Sequence, residues 1–288
     1  MVVQVVSLLA AIAYTFNFIL SKRGLSYSTP ITMTLVSLLV HTLALWSAVL
    51  LVTGIPRVTP LSVGLFTIAG ILQFPIRQLT YIGIDKIGAA LSGPLRATVP
   101  LWSALLAVLF LGERMTFEII AGTLLVFAGI ILISWRVDRA IKNFQMRFLL
   151  FPLIAAILGG VVYPIRRYAL KLSNEPVFFA ALVGAVALAS VLVYLAIPTT
   201  KDKIIWNRQS APYFIISGAF EALGLLLVLY ALSAGPVVIV APLSSTWPLW
   251  VVIGSKLLLR DLEKITPRTV IGAILVVIGT VVISVAKP

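Results

Sequence analysis

Two apolar segments, each interrupted by a pair of prolines six residues apart, constrain this chain more than any other feature. The first runs from Gly88 to Glu113 and contains Pro94, Thr98, Pro100, Leu101 and Trp102. The pattern returns 148 residues later as Pro242, Thr246, Pro248, Leu249 and Trp250. Each segment is long enough to cross a bilayer as a helix. A proline inside a helix removes a backbone donor and crowds the preceding turn, and hydrocarbon offers the freed carbonyl no partner. Such breaks therefore require protein or a wet cavity around them. Matched breaks in two halves of one chain point to a solute site between repeated halves.

Composition sets the environment. Of 288 residues, 61% are hydrophobic and 11% charged, against about 45–50% and 25% in soluble domains. The chain reads as an all-α polytopic membrane protein of the cell membrane. Ten stretches are long and apolar enough to span it: 4–22, 31–53, 61–83, 88–111, 117–135, 148–168, 177–197, 211–232, 236–259 and 268–286. The first has no basic segment before it and reads as a span rather than a removable signal peptide. The net charge of +13 sits mostly between apolar runs, which fits lipid headgroups and topology better than nucleic acid. With no cysteine present, disulfides and thiolate metal sites are excluded.

The longest polar connection, Arg136 to Arg147, divides the ten spans into two groups of five, residues 1–137 and 148–288, joined by 138–147. Further matches support duplication. Glu113, Thr116, Gly122, Gly129 and Ser134 meet Glu263, Thr266, Gly272, Gly279 and Ser284 at an offset of 150, and Ala10-Ala11-Ile12 meets Ala155-Ala156-Ile157 at 145. Five is odd, so the second group must cross in the opposite sense. The expected architecture is ten transmembrane helices in a 5+5 inverted repeat.

With the paired prolines and the Leu-Gly-Glu-Arg-Met-Thr element at Leu111–Thr116, the chain resembles the EamA-type permeases of the drug/metabolite transporter superfamily. The second half carries a looser form, Leu262 to Thr266. The resemblance covers nearly the whole chain and implies a carrier of small molecules with both termini in the cytoplasm. The chain departs from many members in the first span, where Tyr14-Thr15 replaces a Trp-Gly pair. Basic residues argue the other orientation. The loops on the side of the termini carry four (Arg57, Arg114, Lys171 and Lys287), and the opposite loops carry thirteen. The positive-inside rule places the termini outside.

Ionisable groups inside spans are costly and by default face a cavity or a partner. Arg96 stands two residues after Pro94, on one helical stripe with Ser92 and Ser103. It either caps carbonyls freed by the prolines or faces a solute. Glu221, the central acid of span eight, is expected to pair with an arginine. Arg77, on a stripe with Gln73 and Thr80, either reaches the cavity or snorkels to the interface. Arg166 and Arg167, near a predicted span end, are expected to snorkel. His41 is expected to be satisfied by a hydroxyl or carbonyl. Tyr14, Asn17 and Ser21 form a stripe that is either helix–helix glue or lining. Gly122, Gly129, Gly272 and Gly279 are expected to permit close helix packing. The expected cavity lining is Tyr14, Asn17, Arg77, Arg96, Trp102, Tyr163, Glu221, Ser244 and Trp247.

These features point to a secondary transporter of a small metabolite, an amino acid or organic anion, working by alternating access. Export of cationic drugs is the alternative, and an intramembrane enzyme or a channel is more remote. No nucleotide-binding GxxxxGK[ST] motif is present. Neither a nucleophile–base set nor an HExxH metal motif appears, so no catalytic residue, metal or cofactor is expected. The expected partners are a small-molecule solute and the lipid bilayer, with monomer and homodimer both open.

Overall fold

The computed structural model describes residues 2–134, 145–198, 200, 202–247, 249–250 and 267–285. Pro248 and the later part of the predicted ninth span lie outside the described residues, as do positions 135–144 of the connection between halves. Among the described residues every regular element is helical. The first half contains α1 (Val2–Leu25), α2 (Pro30–Ala48, continued by a π-turn over Val49–Thr53), α3 (Pro60–Arg96), α4 (Val99–Leu111) and α5 (Phe117–Ser134). The second contains α6 (Leu150–Leu172), α7 (Pro176–Ala196), α8 (Ala211–Ala234), α9 (Val237–Ser244) and α10 (Pro267–Val285). Six described helices have the length and hydropathy of membrane spans, so this is a multi-pass membrane protein.

Local chemistry explains the helix ends. Proline occupies the first turn of α2, α4, α7 and α8, where its missing N–H would have had no helical partner. Gly112 ends α4 with φ 64°, a left-handed conformation that glycine adopts without steric cost.

The turn expected between spans three and four is not a loop. The backbone is helical from Pro60 to Arg96, yet Arg96 Nε donates to Thr80 Oγ1 at 3.3 Å. Sixteen residues of straight helix rise about 24 Å, far beyond the reach of an arginine side chain. A Cβ on Gly83 would also lie 2.8 Å from Ser92 Oγ. The chain therefore folds back on itself after Gly83. A second interruption follows at Ala97-Thr98, between the two prolines.

Helix contacts follow the repeat. The pairing of α1 with α8 is matched by α6 with α3, and that of α4 with α6 by α9 with α1. α2 meets its counterpart α7, and α5 meets α10. In the last pair a Cβ on Gly122 would stand 2.8 Å from Gly279 O, and one on Gly129 2.5 Å from Gly272 O. The two backbones thus touch in antiparallel register where only glycine fits. Loops also meet their own side. Ser28 and Thr29 donate to the carbonyls of Ile205 and Lys203, at 2.6 and 2.9 Å, and Thr59 N donates to Ser173 Oγ at 3.0 Å.

Candidate functional site

The two proline breaks are built alike. Thr98 N donates to Leu95 O at 3.3 Å, its Oγ1 donates to the same carbonyl at 2.8 Å, and Leu101 N donates to Thr98 O at 3.0 Å. In the second half Thr246 makes the equivalent bonds, at the same lengths, with Leu243 and Leu249. Each threonine thus satisfies, with its own hydroxyl, a carbonyl at the point where the α-helical ladder stops. Thr15 adds a bond across halves, its Oγ1 donating to Trp247 O at 3.1 Å. Arg96 is not needed as a cap, and its hydrogen bond goes to Thr80.

Both breaks border one cavity of about 110 Å³, and a water needs roughly 10–15 Å³ on this measure. The space therefore suits several waters or a compact solute. Tyr14, Asn17, Arg77, Arg96, Tyr163, Glu221, Ser244 and Trp247 all line it. Gln73, Thr80, Tyr81, Val99 and Arg166 complete much of the remaining wall. Trp102 is not part of the wall. Its Nε1 donates to Thr98 Oγ1 at 3.3 Å, and its Cβ fills the space beside Gly160.

Arg77 is held from three directions. Its Nε lies 3.5 Å from Glu221 Oε1 on α8, its Nη1 donates to Ser37 Oγ at 3.1 Å, and its Nη2 meets His41 Nδ1 at 2.7 Å. His41 Nε2 faces Ala180 O at 3.1 Å. A carbonyl only accepts, so Nε2 carries the proton and Nδ1 accepts from the guanidinium. The histidine is thus a neutral link between α2, α3 and α7, satisfied by a carbonyl as expected. Arg77 is 3% exposed, which rules out snorkelling.

Arg166 corrects the expectation that it would snorkel: it is 5% exposed and its Nη2 donates to Gln73 Oε1 at 2.8 Å. α6 continues to Leu172, which leaves Arg166 more than a turn inside the helix end. Its neighbour Arg167 turns outward from the cavity and donates to Leu232 O and, at 3.1 Å, to Ser233 O at the end of α8. Arg96 lies along Gly159, where a Cβ would stand 3.1 and 3.4 Å from its Nη atoms. Among the described residues, the ion pairs are Arg77–Glu221 and the exposed Lys86–Asp85. Neither Arg96 nor Arg166 has a carboxylate partner there.

Polar contacts hold the remaining wall. Asn17 Nδ2 donates to Ser217 Oγ at 3.0 Å and Ser217 O at 3.2 Å, and Ser217 Oγ donates back to Asn17 O at 3.0 Å. With Ser21 Oγ 2.9 Å from Ser217 Oγ, the stripe on α1 joins it to α8, while Asn17 also borders the cavity. Tyr163 OH lies 3.0 Å from Ser244 Oγ at the end of α9. Among the described residues no cluster of His, Asp and Glu is placed to hold a metal.

Comparison with known proteins identifies the family and the fold. The sequence model of the EamA-like transporter family matches residues 2–135 and again 146–285. An uncharacterised protein of Methanocaldococcus jannaschii is 33% identical over 137 residues, which is 47% of this chain and 97% of that protein. The relative is thus about as long as one half. A crystal structure superimposes with a TM-score of 0.75 at 16% identity, covering 97% of this chain and 95% of the other. At that identity the likeness is one of fold.

Proposed function

This chain belongs to the EamA-like transporter family of the drug/metabolite transporter superfamily, and from that premise we propose that it is a secondary transporter of a small metabolite bearing an anionic group, an organic anion or an amino acid. The observation that carries this reading is Arg96. It stands at a helix break, faces the cavity and has no carboxylate partner among the described residues. A guanidinium stays protonated in proteins and suits carboxylate recognition. The cationic-drug reading needs a free acid in the cavity, and Glu221 is already opposite Arg77.

The mechanism we propose is alternating access by two five-helix units, residues 1–137 and 148–288, linked by 138–147, in a ten-span inverted repeat. Three observations support it. The glycine contacts of α5 and α10 are reciprocal: Gly122 with Gly279 and Gly129 with Gly272 exchange places when the halves are exchanged. The breaks at Thr98 and Thr246 are superposable in their bonding. Cavity positions also come in counterparts, Arg96 with Ser244 and Gln73 with Glu221, each 148 residues apart. Rocking of such halves around a fixed site would expose it to each side in turn.

The test is uptake into proteoliposomes, comparing organic anions, amino acids and quaternary ammonium compounds with and without a pH gradient. Saturable uptake of anionic solutes, lost in Arg96→Gln protein that still inserts and folds, is the expected result. Wild-type transport by that variant, or carriage of quaternary ammonium compounds alone, would refute it.

A further inference from the structure

Building on the transport reading of this cavity, we propose that its solute is a compact dianion with two separated anionic groups, of the short dicarboxylate class. Three guanidiniums and one carboxylate line the space: Arg77, Arg96, Arg166 and Glu221. Arg77 and Glu221 face each other, leaving two positive charges without a counter-charge among the described residues. Arginine does not shed its proton in a protein, so neutrality must come from what enters. The partners that hold these two side chains, Thr80 and Gln73, are neutral.

The two charges sit at different levels. Arg96 bonds Thr80 on α3 and lies along Gly159 on α6. Arg166, on α6, bonds Gln73 on α3. Thr80 is seven residues from Gln73 and Gly159 seven from Arg166, and the pairings show that the two helices run antiparallel. Seven residues are nearly two turns, so each pair shares a helix face at levels about 10.5 Å apart. Tyr163 and Arg77 stand between the levels. The two guanidiniums are therefore presented from different levels of one wall, and a ligand that meets both needs an anionic group at each. A short diacid carries two such groups and is small enough for a cavity of about 110 Å³.

Other charge patterns match less well. A phosphate group concentrates its charge at one level and leaves the other guanidinium bare. An amino acid brings an ammonium group that needs a free carboxylate, and Glu221 is engaged. Arg166 also has an unused donor. Its Nε is buried without a hydrogen-bond partner.

Calorimetric titration of the purified full-length protein with succinate, butyrate, alanine and inorganic phosphate tests the proposal separately from transport. Succinate should bind at least about tenfold more tightly than each of the others, as expected for one additional charge-assisted contact. Arg96→Gln and Arg166→Gln should each bring succinate close to butyrate, whereas Arg166→Lys, which retains the charge, should keep part of the preference. Thermal melts of each variant would identify any that fails to fold, in which case the lysine variant and the wild-type rank order still decide. Equal affinities, or alanine or phosphate binding most tightly, would overturn the proposal. Succinate binding without uptake would leave it standing and remove the transport reading. Uptake of monoanions with no preference for succinate would do the reverse.

Discussion

Glu113 of the first half caps α9 of the second, its Oε1 accepting from Val237 N at 3.0 Å and its Oε2 from Val238 N at 3.1 Å. These amides open a helix and have no partner within it, and a carboxylate there also faces the positive end of the helix dipole. Arg167 meets the carbonyls that end α8, the negative end of that helix. The α8–α9 joint is therefore gripped from both sides by charges of the favourable sign. Removing the charge with Glu113→Gln should cost about 1–2 kcal/mol, seen as a lower melting temperature in detergent. An unchanged melting temperature would show that the contact contributes nothing to stability.

The pairing of Arg77 with Glu221 makes a prediction about non-additivity. Removal of one partner from a buried ion pair leaves the other uncompensated, at a cost of about 3 kcal/mol or more. Glu221→Gln and Arg77→Gln should each destabilise strongly, and the double variant should be less destabilised than the sum of the two. The coupling should be about 1–3 kcal/mol, measured by a double-mutant cycle of unfolding. Simple additivity would mean that the 3.5 Å approach carries no interaction.

The glycine seam between α5 and α10 has no room for a side chain. Gly129→Leu should separate the backbones and destabilise by about 1–3 kcal/mol or more, read as lost folded yield and a lower melting temperature. Gly64, in α3, where an added Cβ would meet nothing within 4 Å, serves as the control: Gly64→Ala should lower neither, alanine being the better helix former.

Orientation is tested by a single cysteine in a chain that has none. Ser210 in the loop before α8 is only 2% exposed, so the neighbouring exposed Gln209 is the better site. The excess of basic residues on that side predicts that Gln209→Cys is shielded from an impermeant maleimide in intact cells. Labelling from outside would put the termini in the cytoplasm, as in the orientation the family resemblance implies.

The sequence by itself determined the membrane class, the duplication and the positions of the two breaks. Each rests on composition or local pattern: apolar runs long enough to span a bilayer, motifs that return at a fixed offset, and prolines that remove a backbone donor. The glycines at a spacing of seven were legible for the same reason, since small residues on one helix face need no distant partner to be recognised. The tertiary structure decided which arginine meets Glu221, because Arg77 and Arg96 are equally central by sequence and only the fold brings α2, α3 and α8 together around one of them. It also decided that Arg166 faces inward, because α6 runs past the predicted span end and Gln73 on another helix accepts its donor. Trp102 is absent from the cavity wall for a similar reason, its Cβ being placed by Gly160 on α6. Side-chain direction at these positions depends on which helix lies opposite, and that is a property of the packed chain.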